Sequence, residues 1–251
     1  MYATGQTATG LVRAHNEDTI FYTMEPIGPL PNLFIVADGM GGHNAGEVAS
    51  AKAVEYSTGF IRISAQSASA NTDDVLDILE TATLQANADV FGLSISNPEY
   101  FGMGTTFSAC SILGDTLVVA HIGDSRIYTV SPGQITQVTT DHTVVEKMVQ
   151  AGSLTPQEAK THSRRNILTR VLGCDPFITT DGTFHSLKSV NSILLCSDGL
   201  TDMLSDEAIM HIVNQSASPE FRTEGLINAA NEAGGIDNIS AIIIDVKGEA
   251  H

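Results

Sequence analysis

The chain has 251 residues, of which 42% are hydrophobic and 16% are charged, a composition that supports a folded core and excludes intrinsic disorder. Its formal net charge is −17 with only 12 Lys and Arg residues, which excludes a nucleic-acid partner because the phosphates would be repelled. No apolar run approaches the ~18 residues of a membrane span, and the first ten residues lack the features of a signal peptide. The three cysteines form no CxxC pair and are expected to be buried, reduced thiols. We therefore expect a cytoplasmic protein.

The first third of the chain predicts one buried strand and two helices. The apolar run 33–37 ends at Asp38 and is typical of a buried strand. Apolar residues at helical spacing predict one helix from Ala45 to about residue 66. A second helix follows Thr72, with acidic residues in its first turn, where the helix dipole favours negative charge.

The rest of the chain predicts strands first and then strands mixed with helices. The predicted strands are 105–113, 116–122, 125–130, 193–196 and 239–246. Predicted helices follow Asp141, Thr155, Ser205 and Ser218, where Ser or Thr caps and a Thr155–Glu158 capping box mark three of the starts. The sequence contains no repeat and no long linker, so we interpret residues 1–251 as a single domain.

Four aspartates occupy similar places relative to the predicted strands. Asp38 and Asp198 end strands, Asp124 follows one, and Asp237 comes just before the last. If these strand ends meet, the carboxylates would repel one another and require divalent cations, and oxygen ligands favour Mg²⁺ or Mn²⁺. Each Asp-Gly step taken alone is typical of an ordinary turn, and the spacing does not decide between the two interpretations.

Six short motifs then occur in a fixed order along the chain. They are Arg13-Ala-His-Asn-Glu17-Asp18, Asp38-Gly-Met-Gly-Gly-His43, Gly104-Thr-Thr106, Gly123-Asp124-Ser-Arg126, Ser197-Asp198-Gly199 and Asp237-Asn238. Together they resemble the metal-dependent serine/threonine protein phosphatases (the PPM family), particularly the compact bacterial members, over about residues 5–246. The resemblance implies an α+β fold in which a central antiparallel β-sandwich of two sheets is flanked on both sides by helix pairs. It also implies a flap at about 144–170.

The same resemblance implies a site for two core ions, Mn²⁺ or Mg²⁺. By motif, Asp38 would bridge both ions, the Gly39 carbonyl would bind one of them, and Asp198 and Asp237 would complete the other ion's ligands. The implied reaction is direct in-line attack on the phosphoester by a metal-bridging water, without a phosphoenzyme.

The resemblance to bacterial members also implies a third, weaker ion and residues that contact metal-bound water near the two core ions. Asp124 and Asp198 would correspond to ligands of a third, weaker ion. Glu17 and Asp18 would accept hydrogen bonds from metal-bound water rather than bind the ions themselves.

Two further residues have implied roles in handling the substrate. Arg13 matches the arginine that grips the phosphate, for which a guanidinium fork is suited; the alternative is a surface salt bridge. His43 is the candidate general acid because its pKa lies near working pH. Met40 takes the place where many eukaryotic members have their histidine, so His43 equally suits a role in orienting a ligand or capping the next helix.

The flap holds five of the twelve basic residues, and two interpretations of it stay open. These residues are Lys147, Lys160, Arg164, Arg165 and Arg170. The flap is either a solvated helical lid or a positively charged lip that contacts phosphopeptide.

The sequence thus predicts a phosphatase for phosphoserine and phosphothreonine proteins that opposes a bacterial Ser/Thr kinase. Its rivals are a catalytically silent phosphoprotein adaptor and a Mg²⁺-dependent hydrolase of small phosphate esters. The matching aspartates are all present, which disfavours the silent adaptor.

Overall fold

The computed structural model describes residues 1–41, 45–65 and 71–246. Within them the chain forms strands that pair antiparallel throughout, together with seven α-helices and one 3₁₀ turn. The strands are β1 (Tyr2–Ala8), β2 (Asp18–Thr23), β3 (Leu33–Met40), β4 (Gly104–Thr105), β5 (Phe107–Leu113), β6 (Thr116–Ile122), β7 (Arg126–Ser131), β8 (Gln134–Gln137), β9 (Asp181–Ser186), β10 (Ser192–Cys196) and β11 (Ile239–Asp245). The helices are α1 (Ala45–Ile63), α2 (Thr72–Ser96), α3 (Val144–Gln150), α4 (Pro156–Thr161), α5 (Asp198–Thr201), α6 (Asp206–Val213) and α7 (Pro219–Glu232).

Two sheets pack face to face. One has the order β1-β11-β10-β7-β8, and the other has the order β2-β3-β5-β6-β9 with β4 paired to β3. Side chains alternate between the faces of a strand, so Phe34 and Val36 of β3 enter the core between the sheets with Ile127, Leu195 and Ile242. This central layer explains why β3 is apolar along its length.

Helices cover the outer face of each sheet. The other side of β3, including Ile35, packs with Leu79 of α2 and residues of α1. On the opposite sheet, Leu194 and Ile243 pack against Leu226 of α7 and neighbouring residues of α6. The layers are therefore helices, sheet, sheet, helices, which confirms the predicted α+β sandwich.

Local boundaries differ from the sequence-based predictions in a few places. The predicted strand 105–113 is divided into β4 and β5 at Thr106. The backbone N–H of Thr106 donates to the Asp38 carbonyl, and Thr106 itself belongs to neither strand. Helix α1 ends at Ile63, and α2 is capped by Asn71 and Asp74 in a capping box, one residue earlier than expected.

Two of the three cysteines are buried and one is exposed. Cys110 and Cys196 are buried free thiols, as expected, but Cys174 is exposed. It lies in a loop after Gly173, where its Sγ faces the carbonyl of Met103 at 3.5 Å instead of entering a core. In the ranges that the structure describes, no helix has the length and apolarity that crossing a membrane requires.

Candidate active site

One cleft of about 790 Å³ at the end of the sandwich collects most of the predicted site residues. Its lining includes Arg13, Glu17, Asp38, Gly39, Asp124, Asp198 and Asp237. Asp18 lies beneath the cleft, buried beside Asp38 as its register partner on β2. His43 lies outside the described residues. The strand ends therefore do meet, as the convergent interpretation of the aspartates required.

Backbone contacts fix the position of Asp38. Its N–H donates to Thr106 Oγ1 at 2.9 Å, and the Thr106 N–H donates back to the Asp38 carbonyl at 2.9 Å. The Gly39 N–H donates to the Glu17 carbonyl at 3.1 Å. A Cβ on Gly39 would come within 2.0 Å of the Gly46 carbonyl oxygen, so only glycine permits this approach of β3 to α1. The carboxylate of Asp38 is thus presented by a braced backbone.

A second close approach joins the loops that carry Asp198 and Asp237. Asp198 follows β10 and begins the short helix α5. A Cβ on Gly199 would come within 2.0 Å of the Asn238 carbonyl oxygen, so the start of α5 lies directly against the start of β11. This contact places Asp198 beside Asp237.

The carboxylates disturb one another's protonation. Burial, followed by repulsion from Asp18, Asp198 and Asp124, raises the pKa of Asp38 well above its usual range. Burial also raises the pKa of Asp198 to about 6, with repulsion from Asp202 and Asp237 adding to it. The interaction between the two carboxyl groups raises the pKa of Asp38 and lowers that of Asp198. Without a cation, this group of acids favours a shared proton.

The residues of the cleft offer the oxygen ligands that a hard divalent cation prefers, but the side chains are not arranged around a common point. Asp198 Oδ1 is buried and has no hydrogen-bond partner, which is a costly state that a cation would relieve. No three His, Cys, Asp or Glu side chains among residues 1–41, 45–65 and 71–246 are arranged so that they could hold an ion as they stand. Asp237 is bonded to Arg13 instead. All the carboxylates are oxygen donors of the kind that Mg²⁺ and Mn²⁺ prefer, so the chemistry of the donor set fits such a cation.

The two acids beside the cleft differ in their surroundings. Asp18 Oδ2 accepts from the hydroxyls of Ser197 and Ser240 at 2.7 Å each, and burial raises its pKa to about 7. Glu17 lines the cleft. Burial raises its pKa, and the nearby charge of Arg13 offsets only part of that increase. Asp18 therefore holds the chain just before Asp198, whereas Glu17 can face a ligand in the cleft.

Arg13 bonds to one of the predicted metal ligands. Its Nη2 donates to Asp237 Oδ2 at 2.7 Å, and half of its side chain remains exposed. This hydrogen bond is the main reason why the pKa of Arg13 is raised. Exposed ion pairs contribute only about 0–1 kcal/mol, so the guanidinium can exchange this partner for a phosphate at little cost.

Asn238 is a residue whose importance the sequence motif did not reveal. Its Nδ2 donates to the carbonyls of Thr9 and His15 at 2.9 Å each, and its Oδ1 accepts from the Glu17 N–H at 2.8 Å. Asn238 is buried, so these bonds tie the loop that carries Arg13 to the start of β11. Its position next to Asp237 was the one hint in the sequence that Asn238 belongs to the site. Its hydrogen bonds could not be predicted, because their partners lie in a loop more than 200 residues away along the chain.

A hydrogen-bonded chain joins the turn at Asp124 to the segment after the flap. His142 Nδ1 accepts from the Gly123 N–H at 3.0 Å, and its Nε2 bonds to Asp181 Oδ2 at 3.0 Å. Asp181 in turn accepts from Arg170 at 2.7 Å. Arg170 lines the cleft, so the two sides of the cleft are mechanically connected.

With the fold and the site in view, comparison with known proteins identifies the class of protein. The family model for protein phosphatase 2C matches residues 12–231. The chain belongs to this family of protein phosphatases.

Its relatives include well-defined bacterial enzymes. The chain is 35% identical over 243 residues to protein phosphatase PhpP of Streptococcus pneumoniae, covering 97% of this chain and 96% of PhpP. It matches the crystal structure of the serine/threonine phosphatase Stp1 from Staphylococcus aureus with a TM-score of 0.90 and 33% identity, over 98% of this chain and 95% of Stp1. A structure of the catalytic domain of the phosphatase PstP in complex with two manganese ions matches with a TM-score of 0.80 and 33% identity, over 97% of both chains. These likenesses confirm the resemblance found in the sequence.

Proposed function

We propose that this protein phosphatase hydrolyses phosphoserine and phosphothreonine in proteins, using Mn²⁺ or Mg²⁺, and opposes a bacterial Ser/Thr kinase. One observation carries the proposal: four aspartates from separate strand ends line one cleft next to a half-exposed arginine. Burial and mutual repulsion raise the pKa values of three of them, Asp38, Asp124 and Asp198, as is common at functional sites.

The carboxylates divide into a core set and a weaker site. Asp38, Asp198 and Asp237, with the Gly39 carbonyl, would hold two core ions, and Asp124 with Asp198 would hold a third, weaker one. When bound, such cations supply positive charge at the phosphate and lower the pKa of the attacking water. The chain's own part is to keep these ligands in place through the braced backbone at Asp38 and the contact of Gly199 with Asn238.

Arg13 and the remaining candidates handle the substrate. With Asp237 as a metal ligand, the Arg13 guanidinium would be free to bind two phosphate oxygens at once. Glu17, at the edge of the cleft, accepts hydrogen bonds from water there, and Asp18 stabilises the chain before Asp198. His43 remains the candidate for returning a proton to the leaving alkoxide, since an imidazole titrates near neutral pH.

The wider setting of the enzyme is also a proposal. Three free cysteines, one of them exposed, are compatible with a reducing compartment, for which the bacterial cytoplasm is the natural choice. We interpret residues 1–251 as a single phosphatase domain, supported by the core that the two sheets share.

The decisive experiment measures phosphate release from a phosphothreonine peptide with and without added Mn²⁺ or Mg²⁺. We expect release only with a divalent cation, and a higher kcat/KM for the peptide than for a sugar phosphate. Binding of the peptide without release of phosphate would instead support a silent adaptor. A preference for the sugar phosphate would support a hydrolase of small esters.

A further inference from the structure

Part of the cleft lining has a different character from the carboxylates and forms a second wall. It is formed by the segments 166–171 and 174–179, at the end of the flap and just beyond it. Two large apolar side chains lie exposed there: Phe177 is 89% exposed and Ile167 is 48% exposed. Both side chains line the cleft, and apolar and aromatic side chains in the lining of a ligand site typically contact apolar parts of the ligand.

The loop that carries Phe177 is firmly anchored to α2. Buried Asn87 donates from its Nδ2 to the Asp175 carbonyl at 2.9 Å and accepts from the Gly173 N–H at 2.7 Å. Asp175 Oδ1 then accepts from the Phe177 N–H at 2.9 Å. The backbone of Phe177 is therefore fixed while its ring remains in solvent.

The backbone around Ile167 is anchored in a similar way. The Val144 N–H donates to the Ile167 carbonyl at 2.8 Å, and the Thr169 N–H donates to the His142 carbonyl at 2.7 Å. Both apolar side chains therefore belong to ordered backbone that packs on the body of the enzyme.

Charge gives this wall little attraction for acidic peptides. Arg170 is the one basic flap residue among those that line the cleft, and it is paired with Asp181 at 2.7 Å. Arg165, also in the flap, is paired with Asp202 at 3.6 Å. Asp175 adds a carboxylate to the wall itself. Contact with an uncharged partner thus suits this wall better than the positively charged lip that the flap composition allowed.

We propose that Phe177 and Ile167 form a subsite for an aliphatic or aromatic side chain next to the phosphoresidue of a protein substrate. The inference rests on the proposed function, since Arg13 and the carboxylates set where the phosphate enters. The chain neighbours of a phosphoresidue that reaches them would lie along the rest of the same cleft, which Ile167 and Phe177 also line. An apolar neighbour would cover Phe177 and remove apolar surface from water.

The experiment compares three substrates in Mn²⁺ buffer: a phosphothreonine peptide with leucine on both sides, the same peptide with glycine there, and free phosphothreonine. For the wild-type enzyme we expect kcat/KM to be about tenfold higher with leucine than with glycine, the scale of one partly buried apolar side chain. Phe177→Ala and Ile167→Ala should each reduce this ratio, with Phe177→Ala bringing it within about twofold of unity. Activity on free phosphothreonine, which has no neighbouring side chain, should change less than the leucine-to-glycine ratio does in both variants.

Phe221→Ala is the matched control, because Phe221 is 61% exposed on α7, away from the cleft lining. It should keep the wild-type ratio, and Phe177→Leu should recover most of it. Melting temperatures equal to wild type would show that the variants are folded. Equal kcat/KM for the leucine and glycine peptides in the wild-type enzyme, or a ratio unaffected by Phe177→Ala, would overturn the subsite alone. Failure of the wild type to release phosphate from all three substrates would overturn the proposed function instead.

Discussion

The two walls of the cleft are built in different ways. The carboxylate wall takes Asp38 and Asp198 from the ends of strands, where both faces of the sheet are covered. The flap wall is made of irregular segments that expose Ile167 and Phe177. Groups that must hold charge close together need rigid supports, whereas groups that select a partner can lie on loops. The comparison predicts that damage to the first wall removes catalysis, and that damage to the second changes which substrates are preferred.

A buried polar layer supports the carboxylate wall from behind. Thr106 Oγ1 accepts from the Asp38 N–H and lies 2.6 Å from Ser125 Oγ. Ser108 Oγ donates to the Ser125 carbonyl at 3.1 Å and bonds to His121 Nδ1 at 2.9 Å. A continuous set of hydrogen bonds therefore leads from the site to a buried histidine.

The largest effect should come from neutralising the carboxylate wall. Asp38→Asn or Asp198→Asn keeps the side-chain size but removes charge that the cations need, so turnover of a phosphothreonine peptide should fall at least about 10³-fold. The melting temperature without metal should hold or rise, because the change removes a repelled, buried carboxyl. Asp115→Asn, on the exposed hairpin turn between β5 and β6, serves as control. Wild-type turnover in Mn²⁺ buffer would contradict the assignment of these ligands.

The support layer should give the next largest effect, as a dependence of stability on pH. Burial, with repulsion from His142, lowers the pKa of His121 to about 4, against an ordinary value of about 6.5. The folded protein therefore holds His121 neutral, and protonation favours the unfolded chain. The stability that this imidazole contributes should be full above pH 6.5 and decline towards pH 4, by at most about 3 kcal/mol.

The measurement is the difference in unfolding free energy between wild type and His121→Asn from pH 4 to pH 7. Taking the difference cancels the contribution of the buried carboxylates to the pH dependence. Their raised pKa values favour the folded protein as the pH falls, which is opposite to the effect of His121. The wild-type advantage should shrink as the pH falls. A wild-type advantage that does not change with pH would mean that His121 can be protonated without loss of the fold.

Arg13 should give a smaller effect that appears in substrate binding. Arg13→Ala removes a bidentate phosphate partner in ground and transition states alike, so KM for phosphopeptides should rise by the equivalent of about 1.5–3 kcal/mol. Arg13→Lys should fall between the two, because an ammonium lacks the fork. Steady-state kinetics with one peptide measures all three enzymes. If kcat/KM of Arg13→Ala stays within twofold of wild type, Arg13 serves only as the partner of Asp237.

The fold could be predicted where periodicity was strong. Strand β3 and the helices α1 and α2 were expected from apolar runs or helical spacing. Strands β1, β2, β8 and β9 were not expected, because most of their residues are partly or fully exposed and the strands form by pairing with buried neighbours. Pairing at a sheet edge is a tertiary effect that local sequence does not carry.

The site, like the fold, has features that the sequence predicted and features that it did not. That Asp38, Asp124, Asp198 and Asp237 sit near strand ends was readable from the sequence, and the family motifs implied that they converge. The Arg13–Asp237 ion pair and the exposed ring of Phe177 were not foreseen. Both depend on how distant loops meet, and nothing in the spacing of these residues encodes it.

The smallest effect we predict concerns Asp124, where the carboxylate wall approaches the flap. Asp124 is nearly buried after Gly123, whose φ of +112° suits glycine, and its pKa is raised by burial first and by Asp198 next. A site with few carboxylates binds a hard cation weakly. Asp124→Ala should therefore lower turnover about tenfold or less and move the Mn²⁺ activation curve to higher concentration, while two tightly bound ions remain in calorimetric titration.

The control for this prediction lies close by. Asp141 also repels Asp124, but its own carboxylate is paired with Arg126 at 2.7 Å. Asp141→Ala should lower the melting temperature through the loss of that pair and leave the Mn²⁺ curve nearly unchanged. Asp124→Ala should instead move the Mn²⁺ curve and leave the melting temperature nearly unchanged, since Asp124 is a buried acid that forms no ion pair like the one between Asp141 and Arg126. An unchanged ion count and activation curve, together with a lowered melting temperature, would show that Asp124 only shapes the turn at Gly123.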